Sequence, residues 1–231
     1  MIYITGDTHG DFSRFIPFIN RFHPTSDDVM IILGDAGINY YGGKKDNATK
    51  VLVNSFPFTT FCIHGNHEKR PESIPSYTTK QYRSGTVYVE EAFPNILFAK
   101  DGEIFEFDDY ACISIGGAYS VDKYYRLKHG WQWFSDEQPD KSIKAYVEQQ
   151  LETHHIDIVL SHTCPYSYEP REVFLSTVDE STVDHSTEQW LEKIEKTITY
   201  KRWYCGHFHT DKTIDKLRFM FHDIDILKGD L

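Results

Sequence analysis

Side chains that can bind a metal ion follow five separate apolar runs of the sequence. They are carboxylates, imidazoles and one amide, and they come in five short clusters: Asp7 and His9, Asp35, Asn66 and His67, His162, and His207 and His209. In an open α/β sheet, ligands gather at the carboxyl ends of the strands, so five such ends would bring these groups together. The sequence therefore predicts one polar site built from distant parts of the chain.

The donor types in these clusters narrow the chemistry of the predicted site. They include no thiolate, which disfavours a structural zinc site, and mixed nitrogen and oxygen donors suit catalytic zinc, manganese or iron. Asp7 and His9 are two residues apart, as are His207 and His209. In an extended chain this spacing turns both side chains of a pair to the same side. The clusters are therefore typical of a catalytic metal centre.

The elements that would position these clusters are strands alternating with amphipathic helices, which predicts an α/β fold. The predicted strands cover residues 2–5, 29–33, 59–64, 86–90, 96–99, 104–107, 111–115, 156–160 and 202–205. The predicted helices cover residues 11–23, 48–56, 142–154 and 187–198. Residues 116–139 form the longest predicted irregular segment, and residues 213–227 alternate like a hairpin.

Composition sets limits on the class of protein. The chain has 231 residues, a formal net charge of −11, and hydrophobic and aromatic shares of 40% and 15%. This composition excludes a disordered chain. The length allows one domain of generous size or two very small ones, and we expect one domain over residues 1–231. The acidic balance argues against duplex nucleic acid and anionic membranes as partners. We expect a cytoplasmic protein, because its start lacks a signal-peptide pattern, no apolar run approaches the roughly 20 residues of a membrane span, and its four cysteines suit reduced thiols.

The ordered motifs resemble those of the calcineurin-like metallophosphoesterase superfamily. The resemblance rests on five motifs between residues 6 and 209: Asp7-Thr8-His9-Gly10-Asp11, Gly34-Asp35, Gly65-Asn66-His67-Glu68, His162 and Gly206-His207-Phe208-His209. It implies a two-sheet β-sandwich flanked by helices, in α-β-β-α layers. It also implies two divalent metal ions, with manganese expected first and iron or zinc as alternatives.

The resemblance assigns a role to each residue of the clusters. One ion would be held by Asp7, His9 and His209, the second by Asn66, His162 and His207, and Asp35 would bridge the two. His67 would be the catalytic histidine that binds no metal and faces the leaving group. The implied reaction is hydrolysis of a phosphate monoester or diester by in-line attack of a metal-bridging hydroxide.

The second motif departs from the family pattern at two positions. Many family members carry an aspartate that pairs with the catalytic histidine, and Ile38 stands there in this sequence. The partner of His67 is therefore open, with Asn39, Glu68 and a backbone carbonyl as candidates. Asn39 also stands where protein serine/threonine phosphatases carry an arginine. This argues against a close relative of those phosphatases.

Candidate substrate contacts follow the predicted metal-ligand turns or the strand before residue 116. They are Arg70, Tyr40, Lys123 and Arg126. The two cations near Gly116 and Gly117 could hold a phosphate, and an aromatic ring could stack on a base. We expect a small phosphorylated substrate, with a nucleotide as one candidate. The sequence does not predict the oligomeric state.

Three alternatives to this enzyme are a noncatalytic metal-binding scaffold of the same fold, a protein serine/threonine phosphatase and a structural metal protein. A scaffold would have no reason to keep His67, which is not needed to bind metal. A structural site would be closed, whereas this set leaves room for water between two ions. Two divalent ions would make the site locally positive within an acidic protein, so the charge of −11 does not exclude an anionic substrate.

Overall fold

Two β-sheets lie face to face and carry helices on their outer faces in the computed structural model, which describes residues 1–174, 176 and 178–229. The strands are β1 (Ile2–Thr5), β2 (Val29–Ile32), β3 (Thr59–Cys62), β4 (Tyr77–Tyr82), β5 (Gly85–Glu90), β6 (Ile96–Ala99), β7 (Ile104–Phe107), β8 (Tyr110–Ile115), β9 (Ile158–Ser161), β10 (Arg202–Cys205), β11 (Lys212–Ile214), β12 (Leu217–Phe219) and β13 (Ile224–Ile226). The helices are α1 (Phe15–Phe22), α2 (Lys44–Asn54), α3 (Lys123–His129), α4 (Lys141–Thr153) and α5 (Ser186–Thr197). The predicted two-sheet sandwich flanked by helices is confirmed.

Parallel strands form the centre of both sheets. The first sheet has the order β13-β1-β2-β3-β6-β5-β4, and β1, β2, β3 and β6 run parallel to one another. The second has the order β11-β12-β10-β9-β8-β7, and β12, β10, β9 and β8 run parallel. The remaining strands pair antiparallel at the edges. Each sheet therefore presents several strand carboxyl ends along one side, as the positions of the polar clusters require.

Apolar side chains alternate between the two faces of each strand, and this alternation divides the core into three layers. Ile2 and Ile4 of β1 face the space between the sheets, where they pack with residues such as Phe105 of β7. Tyr3 faces the opposite side and packs with Phe15 and Phe18 of α1. On the outer face of the second sheet, the indole of Trp203 packs among residues of α4 and α5. Side chains that alternate in this way hold both sheets between helices.

Three elements differ from the sequence expectation. Strand β4 was not predicted, because its polar run 78–81 is exposed and lacks an apolar face to reveal it. The segment 116–139, predicted to be irregular, contains α3, a helix of 7 residues whose side chains include two exposed tyrosines, Tyr124 and Tyr125. The C-terminal hairpin exists between β11 and β12, but β13 leaves it and pairs with β1 in the other sheet.

No helix in the described part of the chain is long and apolar enough to cross a bilayer. The four cysteines, Cys62, Cys112, Cys164 and Cys205, are all buried and unpaired. The expectation of free thiols agrees with this arrangement.

Glycine is required where the strand-end turns of the two sheets meet. A Cβ on Gly206 would lie 2.3 Å from Asp7 Oδ1 and 2.8 Å from the Leu33 carbonyl oxygen. Gly34 has a φ of +95°, and its Cβ would lie 2.1 Å from His162 Nδ1. Both positions are therefore closed to a side chain, so the turns after β1, β2, β9 and β10 pack directly against one another.

We predict that Gly206→Ala destabilises the protein by about 3 kcal/mol, because backbone and a buried carboxylate occupy the space its methyl group needs. The control is Gly130→Ala, where the added Cβ meets no atom within 4 Å and only the φ of +67° opposes it. This control should lose about 1 kcal/mol. Urea denaturation of both variants measures the difference, and equal losses would contradict the proposed close packing.

Candidate metal centre

The carboxyl ends of five parallel strands from both sheets meet at one place and bring the predicted clusters together. The contributing strands are β1, β2 and β3 of the first sheet and β9 and β10 of the second. The side chains in mutual contact are Asp7, His9, Asp35, Asn66, His67, His162, His207 and His209. The structure thus places in one site all eight residues assigned a metal or catalytic role from the sequence.

Asp7, His9 and His209 form the first group of potential ligands. The Nε2 atoms of His9 and His209 are 2.8 Å apart, and Asp7 Oδ2 lies 3.3 Å from His209 Nε2 and 3.8 Å from His9 Nε2. Asp7 is buried, and its Oδ2 atom has no hydrogen-bond partner. A buried carboxylate oxygen without a donor is costly. Three converging donor atoms and this unpaired oxygen fit one cation.

Asn66, His162 and His207 form the second group. Asn66 Oδ1 lies 2.7 Å from His162 Nε2 and 3.2 Å from His207 Nδ1. His162 Nδ1 lies 2.7 Å from the Leu33 carbonyl oxygen, and in the tautomer that donates this bond, Nε2 carries a lone pair. Asn66 donates from Nδ2 to Ser120 Oγ, which turns its oxygen toward the imidazoles. Lone pairs that face each other at such distances fit a bound cation.

Asp35 lies between the two groups. Its Oδ1 atom is 3.7 Å from His162 Nε2, and its Oδ2 atom is 3.9 Å from His9 Nδ1. The side chain is 2% exposed, and Oδ1 accepts a hydrogen bond of 2.8 Å from the His67 backbone N–H. One carboxylate therefore faces a member of each group, which is the position a bridging ligand needs.

Electrostatics favour the protonation states that metal binding requires at Asp35, His207 and His9, whereas the hydrogen bond to Asp7 raises the pKa of His209. Burial alone would raise the pKa of Asp35, but the imidazoles of His67, His162 and His9 outweigh it and lower that pKa. Burial lowers the pKa of His207 to about 3, which keeps its ring neutral. Burial also lowers the pKa of His9.

Four of the predicted ligands have left-handed backbone conformations. The φ angles of His9, Asp35, His207 and His209 are 48°, 48°, 66° and 49°. Side chains other than glycine rarely adopt this region, and such strain is concentrated at binding and catalytic sites. The strained turns aim these side chains into the centre, and the surrounding packing must hold them there.

His67 has a carboxylate partner that the sequence did not reveal. Asp122 Oδ1 lies 3.5 Å from His67 Nε2, and Arg126 Nη2 lies 3.2 Å from His67 Nδ1. Asp122 also accepts a hydrogen bond of 2.7 Å from Arg126 Nε. Burial lowers the pKa of His67, but the carboxylates of Asp35 and Asp122 outweigh it and raise that pKa, with Arg126 opposing them.

The candidates considered for that role from the sequence are engaged elsewhere. Asn39 Oδ1 accepts a hydrogen bond from the Tyr77 hydroxyl. Glu68 is buried, its Oε1 atom accepts from the Gly65 N–H, and burial raises the pKa of its carboxyl to about 8. The spacing of Asp122 and Arg126, four residues apart at the start of a helix, was the available signal for the pair. It was hidden because α3 itself was not predicted.

The four predicted substrate contacts separate into two pairs. Arg126 donates to the Tyr40 hydroxyl at 3.0 Å, so both belong to the group around His67. Lys123 Nζ lies 4.2 Å from the centre of the Trp133 ring, and Lys123 is not among the residues that line the cavity beside the ligands. Arg70 is buried and donates to Asp101 Oδ2 at 2.6 Å. This placement favours a structural role for Arg70 over the predicted substrate contact.

A cavity of about 370 Å³ opens beside the metal centre. Asp35, Asn66, His67, His207 and His209 line one part of it, together with Asp122. Its apolar wall is formed by Val121, Val173, Phe174, Val178, Val183 and Phe208. Four of these six residues, Val173, Phe174, Val178 and Val183, lie between β9 and α5, beyond His162, where no sequence motif indicates a function. The cavity is large enough for a small molecule.

Comparisons with known proteins agree with this geometry. The family model for calcineurin-like phosphoesterases matches residues 1–226. The solved structure of a phosphopantetheinyl hydrolase from Mycobacterium tuberculosis is similar, with a TM-score of 0.52 and 14% identity over 95% of this chain and 87% of that chain. A second solved structure has a TM-score of 0.50 and 13% identity over 95% and 88%. A protein of unknown function from Aquifex aeolicus has a TM-score of 0.36 and 13% identity over 73% and 81%.

A search of curated proteins finds no match to this sequence. At identities this low, the solved structures show the fold alone. The match to the family model is evidence for family membership, because it spans residues 1–226 of the 231 in the chain and includes every predicted metal ligand. The protein therefore belongs to the calcineurin-like phosphoesterase family.

Proposed function

We propose that this protein hydrolyses a small phosphate ester with the help of two divalent metal ions. The observation that carries the proposal is the convergence of six potential ligands around a seventh, Asp35, with His67 beside them and facing the cavity. Asp7, His9 and His209 would hold one ion, Asn66, His162 and His207 the other, and Asp35 both. When bound, the two ions would activate water and neutralise phosphoryl oxygens. Manganese is the first candidate and iron or zinc are alternatives, because mixed imidazole and carboxylate donors suit all three metals and do not decide among them.

The chain's own residues would bind the phosphate and supply a proton. His67 would donate a proton to the departing oxygen, since an imidazole titrates near neutral pH. Asp122 would stabilise the protonated ring and fix its orientation. The Arg126 guanidinium, 3.2 Å from His67, would bind a phosphoryl oxygen through its planar donors, and Tyr40 would hold that guanidinium in place.

The cavity supports a substrate whose phosphate carries an apolar segment. Its apolar wall begins beside the metal centre, so the organic part of an ester would enter it while the phosphate remains at the ions. The substrates to be tested include a nucleotide and a phosphopantetheinyl ester. The ester is included because the phosphopantetheinyl hydrolase has a similar fold. A folded phosphoprotein fits a cavity of about 370 Å³ less well. The four buried free cysteines favour a reducing compartment, and we propose the cytoplasm.

The second candidate function is a noncatalytic metal-binding scaffold of the same fold. The contacts around His67 argue against it. A scaffold needs the metal ligands only, whereas here Asp122 and Arg126 also meet at a histidine that would bind no metal. The two functions make different predictions for hydrolysis, and the following variants separate them.

We predict that His67→Ala lowers kcat at least about 100-fold, because it removes the proton donor but none of the metal ligands. Asp35→Asn should lose both metal and activity. The loss of about 100-fold is expected for an alkyl phosphate, whose departing alkoxide needs the proton, and should be smaller for p-nitrophenyl phosphate and bis-p-nitrophenyl phosphate. All three are assayed in Mn²⁺, and metal content is measured by mass spectrometry. Wild-type rates no higher than those of Asp35→Asn across several metals would favour the scaffold.

We predict that Asp122→Asn lowers kcat about 10-fold with a smaller change in KM, because an interaction with a charged group contributes about 1.5 kcal/mol. The control is Asp109→Asn, an exposed aspartate in the turn between β7 and β8. A rise in KM alone would indicate that Asp122 acts by positioning Arg126 for substrate binding. Values of kcat and KM equal to those of Asp109→Asn would contradict a role for Asp122 in catalysis or substrate binding.

We predict that Val183→Ser raises KM about threefold for esters with an apolar leaving group, because the wall of the cavity loses apolar surface. The KM for an ester with a short polar leaving group should change less. The control is Val51→Ser, an exposed valine on α2. Equal changes for both ester types would contradict the placement of the organic group in this cavity.

A further inference from the structure

A second group of ligand-type side chains lies in the wall of the same cavity, outside the set assigned to the two ions. It consists of Glu169, His185 and Glu188, whose candidate ligand atoms all lie within 4.8 Å of one another. All three residues line the cavity. His185 directly precedes α5, Glu188 is in its first turn, and Glu169 belongs to the loop that follows β9.

Two buried carboxylate oxygens in this group have no hydrogen-bond partner. Glu188 is 4% exposed, and its Oε2 atom is unpaired. The Glu169 side chain is 2% exposed, and its Oε2 atom is also unpaired. The Arg171 guanidinium approaches that atom only to 3.9 Å from an exposed position. Because an unpaired buried carboxylate is costly, these two oxygens point to a missing positive charge.

The imidazole completes a donor set that transition metals use. His185 Nδ1 lies 2.8 Å from Glu169 Oε1, so the ring is held against one carboxylate and close to the other. Two carboxylates and one imidazole are mixed oxygen and nitrogen donors, which suit zinc or manganese. Zinc binds such donors at about 2.0–2.2 Å, so its ligand atoms lie within roughly 4 Å of each other. Small side-chain rotations would bring this group to that spacing.

We propose that Glu169, His185 and Glu188 form a third divalent-metal site with an open coordination position facing the cavity. Three protein ligands leave at least one position for water or for a group of the substrate. The cavity would then hold the phosphate at the two-ion centre and a second polar group of the same substrate at the third ion, with apolar walls between them. The site itself does not depend on the proposed hydrolysis.

The competing explanation is a structural network that holds protons in place of a metal. Burial raises the pKa of Glu188 to about 7, and burial raises the pKa of Glu169 as well. A proton shared in this group would neutralise the carboxylates without any metal. The two explanations differ in one measurable respect, which is whether a divalent ion displaces that proton at neutral pH.

The test is the number of zinc ions that the full chain binds. The protein is stripped with a chelator, dialysed against Zn²⁺ at pH 7.5, and analysed by mass spectrometry. We expect three ions per wild-type chain and two for either Glu169→Gln or Glu188→Gln. Glu180→Gln is the matched control, because Glu180 lines the same cavity, is exposed and lies outside the group. It should retain three.

Folding does not obscure this test. Glutamine has nearly the shape of a protonated glutamate, so Glu188→Gln should match the wild type in thermal unfolding without metal. With Zn²⁺ added, the wild type should gain stability that the variant lacks. Two ions in wild type, Glu188→Gln and Glu169→Gln alike would overturn the third site and leave the two-ion centre intact.

A double variant separates this proposal from the proposed function. Asp35→Asn combined with His209→Ala removes ligands of the two-ion centre and should retain the third ion. If the wild type and the double variant both bind one ion, and Glu188→Gln binds none, the result supports the third site and contradicts the two-ion centre. If the double variant binds no ion, the third site is overturned.

Discussion

Two buried carboxylates hold the strand-end turns together and also form the centre of the ligand set. Asp7 Oδ1 accepts a hydrogen bond of 3.0 Å from the backbone N–H of His207, which joins the turn after β1 to the turn after β10. Asp35 Oδ1 accepts from the backbone N–H of His67 and joins the turns after β2 and β3. Each carboxylate therefore uses one oxygen to fix the backbone of another residue of the site. The second oxygen of Asp7 faces His209, whereas both oxygens of Asp35 face imidazoles of the ligand groups. The geometry of the site depends on these contacts.

Much of this arrangement was predictable because its causes are local in the sequence. The apolar runs before Asp7, Asp35 and His162 determine the strands, and the polar residues after them can only lie at strand ends. The role of glycine was only partly foreseen. A sharp turn explains Gly34, with its φ of +95°, but Gly206 is required because Asp7 and Leu33 approach it from other strands. Contacts between residues 199 and 173 positions apart leave no local pattern in one sequence.

The carboxylate partner of His67 also could not be predicted from the local sequence. The family pattern would place its aspartate near Ile38, but this chain has an apolar residue there, fully buried in the core beside α1. The carboxylate comes instead from Asp122, at the start of α3 and more than fifty residues after His67. Polar and aromatic residues dominate α3, and only Arg126 in it is buried, so no apolar stripe revealed the helix. The missing carboxylate and the unpredicted helix were therefore one omission.

Charge explains how an acidic protein could admit an anion at this site. The formal charge of −11 describes the chain alone, and the proposed two-ion centre would add four positive charges against the two carboxylates of Asp7 and Asp35. Arg126 adds another positive charge beside His67. The positive potential of the two-ion centre would thus lie at one part of a cavity whose wall is largely apolar. Because a long polyanion would also meet the acidic outer surface, this arrangement favours a substrate with one phosphate and a compact apolar group.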